Sequence, residues 1–109
     1  MINMLVALVM AAPAAVQALP ATCSLNYAKP VACRVADRAD ANGGHDVVFT
    51  LGKRHLNFTG KSQTGWWSGT LDGKPAMGLE LNRGHVRFST TDLAISFDYW
   101  SAGMEHGTY

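Results

Sequence analysis

From Asp46 to Trp100 the chain repeats one plan: a short run of alternating apolar and polar residues, a turn built on Gly, Asn or Asp, then another run. Alternation with period two marks a strand that buries one face, and turn residues roughly every eight to twelve positions leave room only for short strands joined as hairpins. Val47, Phe49 and Leu51 make one inward set, and Gly52-Lys53-Arg54 turns the chain back to Leu56 and Phe58. A looser connection over Gly60-Lys61-Ser62-Gln63 leads to a strand with Trp67 and Leu71 inward across Gly69. Asp72-Gly73-Lys74 is the clearest short hairpin signal, because Asp-Gly readily adopts the turn that matches strand twist. The next strand, from Pro75, places Met77, Leu79 and Leu81 inward; Asn82-Arg83-Gly84 turns again, and Val86 and Phe88 follow. Leu93, Ile95, Phe97 and Tyr99 share one face of the last strand, ahead of an aperiodic tail over 101–109.

Upstream, Cys23 to Tyr27 and Val31 to Val35 read as a hairpin joined through Ala28-Lys29-Pro30, with Cys23, Leu25 and Tyr27 on one face and Val31, Cys33 and Val35 on one face of the other arm. The stretch from Ala36 to His45 reads as a loop. The expected fold is all-β: an antiparallel meander of about seven to eight short strands, a small barrel or a curled sheet. Alternation does not decide between closure and an open sheet with a pairing edge.

The first eighteen residues form a short apolar run ending on small residues, the pattern of a secretory signal peptide, with cleavage after Ala18 or, alternatively, after Ala21. Pro13 interrupts the run, which is short against the ~20 apolar residues of a membrane span. Residues 19–109 then form a single small domain, periplasmic or secreted. Cys23 and Cys33 are the only thiols. In an oxidising compartment they are expected to pair, closing a short loop worth about 2–3 kcal/mol in the chain-entropy model. Nine basic residues against eight acidic ones are scattered along the chain, which argues against a nucleic-acid footprint or a polybasic membrane patch.

Adjacent strand residues point to opposite faces, so Trp66 lies outside if Trp67 is inside. Trp66 and Trp100, with Tyr99 as a third candidate, are aromatics that a protein uses to grip a partner or stack on a sugar ring. The four histidines His45, His55, His85 and His106 lack metal-ligand spacing, although His55 and His85 both open strands on the polar side and a site could be assembled with Asp46 or Glu105. No metal or cofactor is assigned. The stretch from Asp40 to Asp46 is a polar turn rather than a calcium loop, because Leu51 stands where a bidentate Glu is needed. Ser68 lacks the G-x-S-x-G elbow and no catalytic residue is assigned. Asn57-Phe58-Thr59 matches a glycosylation acceptor.

The run Ser68-Gly69-Thr70-Leu71-Asp72-Gly73 is similar to the Ser-Gly-led loop that C-type lysozyme inhibitors, small exported bacterial β-barrels, insert into the lysozyme cleft. The chain lacks that family's aromatic-Trp-Thr-Lys-Gly stretch, and Pro20-Ala21-Thr22 before Cys23 is not a lipobox. The resemblance implies a small barrel that binds rather than catalyses. The functional expectation is a non-enzymatic exported module engaging a protein or glycan through Trp66, Ser68, Asp72, Gly73 and Trp100, in one form an inhibitor of a cell-wall hydrolase. Two alternatives stand beside it: a small hydrolase or metal-dependent enzyme drawing on His55, Glu80, His85 and Asp98 across strands, and a structural envelope protein.

Overall fold

In the computed structural model, which describes residues 16–104, eight strands follow one another. They are β1 (Leu19–Leu25), β2 (Val31–Ala39), β3 (Gly44–Leu51), β4 (Arg54–Gln63), β5 (Trp66–Leu71), β6 (Lys74–Asn82), β7 (His85–Thr90) and β8 (Ser96–Ser101). Each pairs antiparallel with the next, and β8 returns to β1 through Ala21↔Ser101 to Leu25↔Phe97, so the meander closes into a barrel. The expected signal segment lies mostly outside the described residues, as do Glu105 and His106 of the tail. Among the described residues no helix is long and apolar enough to cross a membrane.

Eight strands enclose a space just wide enough for side chains to fill. Here they fill one end. Phe49, Leu56, Phe58, Leu71, Phe88 and Phe97 are fully buried, towards the end where the 52–53 and 72–73 turns lie. Their rings interlock: Phe58 meets Phe88 at 4.6 Å between centroids, and Phe49 meets Phe97 at 4.7 Å. Burying each such side chain contributes about 1.5–3 kcal/mol, so this cluster is a large part of the hydrophobic stabilisation. The disulfide forms as expected: Cys23 and Cys33 are bonded with Cα atoms 5.8 Å apart. They are diagonal rather than opposite, since Cys23 pairs with Val31 and Cys33 with Ala21. The bond is consistent with an oxidising, exported location.

The structure corrects the inward assignments in three places. In β6 the inward residues are Ala76 and Gly78, while Met77, Leu79 and Leu81 point out and are 50%, 54% and 43% exposed. The two-residue turn at Asp72-Gly73, with φ of 49° and 81°, pairs inward Leu71 with Lys74 and so sets every even residue of β6 inside. Volume enforces the choice: a Cβ at Gly78 would stand 2.7 Å from the Phe88 ring, so that level of the barrel has no room for Met or Leu. Leu93 is 81% exposed and lies in a turn, where its N–H donates to Thr90 and Asp92 accepts from the Ala94 N–H. The last strand therefore starts at Ser96. At the first hairpin, β1 ends at Leu25; Tyr27 has φ of 64°, points outward and carries the Arg87 guanidinium 5.1 Å from its ring centroid, and Val31 is exposed.

The expected loop over 36–45 is largely strand. β2 and β3 pair through Ala36↔Val48 to Ala39↔His45, leaving a tight connection at 40–43. Asp40 organises it by accepting from the Asn42 and Gly44 N–H groups at 2.8 and 2.9 Å, and these bonds hold its carboxyl below the usual carboxylate range.

Candidate functional site

The end of the barrel opposite the aromatic cluster is open. It gathers the starts of β1, β3, β5 and β7 and the ends of β2, β4, β6 and β8, and its inward residues mix polar with apolar side chains. One side is a cavity of about 440 Å³ whose walls include Leu19, Ala21, Val35 and Val47, with Asp37 at its edge. The other side, about 330 Å³, is bounded by Ser62, Gln63, Trp67, Glu80 and Val86. Tyr99 and Ser101 belong to both walls, so the two spaces are halves of one mouth. Its floor is Trp67, packed edge-on against Phe58 at 5.8 Å and Phe88 at 5.6 Å. Burial, reinforced by the negative charges of Asp37 and Glu80, pushes the Tyr99 phenol up to about 12, so it remains a hydrogen-bond donor at physiological pH.

Across the mouth runs a hydrogen-bonded chain from three strands. Asp37 on β2 holds the Nδ1 of His45 on β3, with both carboxylate oxygens at 3.0 Å, and the His45 Nε2 lies 2.9 Å from the Ser62 Oγ on β4. An ionised carboxylate can only accept, so Nδ1 carries the proton; in the neutral imidazole Nε2 is then the acceptor and Ser62 donates to it. The imidazole is also gripped by the Trp67 ring at 4.7 Å. Strand register explains the meeting. Asp37, His45 and Ser62 all face inward, and each is one step diagonal to the next, since Ala39 pairs with His45, Asp37 with Val47, and His45 with Gly60.

The residues singled out from the sequence lie elsewhere and do not form one site. Trp66 and Ser68 are on the outside of β5, opposite Leu79 and Met77 of β6. With Leu81 these make an apolar stripe on the outer wall. Asp72 and Gly73 form the turn at the packed end, where Asp72 accepts from the Asn57 N–H at 2.8 Å. Ser68 to Leu71 is strand, so the Ser-Gly-led run projects only its last two residues as a turn. Trp100 is outside on β8, stacked on His85 at 4.4 Å.

The residues considered for a site across strands are divided among three surfaces. His55, at the packed end, bonds Thr50; Glu80 is in the mouth; His85 is outside, at the mouth end of β7. His55 and His85 are thus at opposite ends of the barrel and not neighbours. Asp98 faces outward as expected yet is only 3% exposed, because His85 Nε2 at 2.7 Å and the Arg87 guanidinium at 3.0 Å cover its carboxylate. Among the described residues no group of three or more His, Cys, Asp or Glu side chains is placed to hold a metal ion. Compared with known proteins, the chain matches no family model, no curated protein and no solved structure.

Proposed function

We propose that this is an exported binding protein that takes a small organic ligand, or the end of a glycan, in the open mouth of its barrel. One observation carries the reading: the interior is packed with aromatic side chains at one end and hollow at the other, where an indole, a phenol and several polar groups converge. Barrel mouths with mixed apolar and polar walls are a common setting for small-ligand sites. Trp67 forms the floor of this one, while Trp66 and Trp100 are outside. A protein carrying Trp66→Phe and Trp100→Phe therefore reports on the mouth alone. Titrating it with cell-wall glycans and small aromatic and aliphatic compounds should give a saturable change in Trp67 fluorescence. A response that requires Trp66 or Trp100 and survives Trp67→Phe would move the site to the outer wall.

The outer wall supports a second reading, a protein partner. Met77, Leu79 and Leu81 beside Trp66 form an exposed apolar stripe, and a lysozyme-type hydrolase is the partner that the sequence resemblance suggests. Its test is inhibition of hen lysozyme, with Ser68→Ala or Leu79→Ser expected to weaken it.

Export itself has a checkable consequence. Leu19, Pro20 and Ala21 pair with Val35, Arg34 and Cys33, and Ala21 also with Ser101, so a cut after Ala21 would strip four register pairs from β1 and remove a core residue. Terminal sequencing of the exported protein should begin at Leu19. A start at Thr22 would mean that the first half of β1 is no part of the working barrel.

A further inference from the structure

We propose that Ser62, with His45 as its base and Asp37 as the group that orients the base, is the nucleophile of an acyl-transfer reaction on a small carboxylic ester bound in the mouth. This rests on the mouth being a ligand site and adds a reaction to it.

The argument is geometric. A serine hydroxyl becomes a useful nucleophile when an imidazole nitrogen within hydrogen-bond reach accepts its proton and a third group fixes that imidazole's tautomer. Both conditions are met: Ser62 Oγ to Nε2 at 2.9 Å, and Nδ1 to the Asp37 carboxylate at 3.0 Å. Other histidines with a partner fall short. His55 meets a hydroxyl, Thr50, and His85 meets a carboxylate that Arg87 already neutralises. His45 bridges a carboxylate and a hydroxyl, and the hydroxyl borders a cavity of about 330 Å³.

In the reaction, Ser62 Oγ bonds to the ester carbonyl carbon as its proton passes to His45 Nε2. The tetrahedral intermediate collapses, the bond to the alcohol oxygen breaks, and His45 returns the proton to the departing alcohol. Water, deprotonated by the same nitrogen, then releases the acid and restores Ser62. The Asp37 carboxylate stays ionised and stabilises the imidazolium at each stage. The oxyanion needs donors, and the Ser62 N–H is engaged with the Gly43 carbonyl at 3.1 Å. The same cavity is bounded by Tyr99, whose phenol stays protonated far above neutral pH and is a donor type suited to that role.

The test is to treat the oxidised protein with an alkyl fluorophosphonate and follow its intact mass and peptide map, alongside hydrolysis of p-nitrophenyl acetate. The expected result is one adduct, at Ser62, formed with loss of fluoride. It should be absent in Ser62→Ala and form about 100-fold more slowly in His45→Gln, the scale of a lost general base. Near-UV circular dichroism shows whether each variant keeps its aromatic packing. No adduct at Ser62 in the unmodified sequence, or an adduct whose rate is untouched in a folded His45→Gln, overturns the proposal. Saturable ligand binding reported by Trp67 with Ser62 inert would leave the binding reading standing and remove only the reaction. Inert Ser62 together with a silent Trp67 would remove both.

Discussion

Gly69→Ala should cripple the barrel. Gly60 on β4 and Gly69 on β5 face each other across the inner wall, and the two backbones touch. A Cβ on residue 69 would lie 2.1 Å from the Thr59 carbonyl oxygen and 2.5 Å from the Gly60 Cα; one on residue 60 would meet the Ser68 carbonyl oxygen at 2.2 Å. These obstacles are main chain in a paired ladder, so nothing swings aside, and β4 and β5 must part. Overpacking in a well-packed interior costs about 1–3 kcal/mol when side chains absorb it, and a backbone obstacle places this substitution at or above the upper end. Urea denaturation should register a loss of about 3 kcal/mol or more, or no cooperative transition at all. Gly52→Ala is the contrast. Gly52 has φ of 59° but open space around it, so only the left-handed strain of about 1–2 kcal/mol applies. Equal losses in the two variants would show that the close approach at Gly60 and Gly69 is not kept in solution.

Arg87→Met should cost nearly as much, for an electrostatic reason. Asp98 is buried on the outer wall beneath Arg87 and His85, and the guanidinium grips it through Nε at 3.0 and 3.1 Å and through the terminal amine at 3.0 Å. Removing one partner of a buried pair leaves an uncompensated charge, a loss of about 3–5 kcal/mol. Arg87 is itself about one-third exposed and His85 still contacts Asp98, so the low end, about 3 kcal/mol, is the expected result. The double variant Arg87→Met with Asp98→Leu should recover part of it, because no buried charge is then left unpaired, while His85 Nε2 loses its acceptor. Thermal or urea unfolding of the four proteins completes the cycle. A double variant no more stable than Arg87→Met alone would mean that the lost stability came from packing rather than from charge.

Much of the fold was legible because a half-buried strand advertises its buried face. Val47, Phe49, Leu56, Phe58, Trp67, Leu71, Val86 and Phe88 are inward as their alternation requires. β6 misleads because its outward residues are the more hydrophobic ones; Ala76 and Gly78 line the barrel where Phe88 and Trp67 already occupy the volume. Steric exclusion by residues ten positions away leaves no trace in a local pattern. Closure was equally hidden, since β1 and β8 reveal their pairing only when the sheet has curled through eight strands. The mouth was missed for a simpler reason. Asp37 and His45 sat in a stretch rich in Asp, Asn and Gly that reads as a loop, yet the same stretch carries β2 on to Ala39. Extending the β2–β3 ladder by four residues was the available signal, for it places Asp37 and His45 diagonally on one face, and Ser62 follows from the β3–β4 register.

The pairing of the first strand with the last also dictates an order of assembly. The β1–β2 hairpin and its disulfide are local and can form as soon as residue 39 is available. The contacts from Ala21↔Ser101 to Leu25↔Phe97 join the two extremes of the described chain, and such long closures are slow to form because their entropy must be lost before the contact is gained. Until β8 docks, β1 and β7 are both unpaired edges, so a chain cut short before Ser96 would display two sticky ladders in place of none. The last six-residue strand is therefore what converts an aggregation-prone ribbon into a molecule without edges.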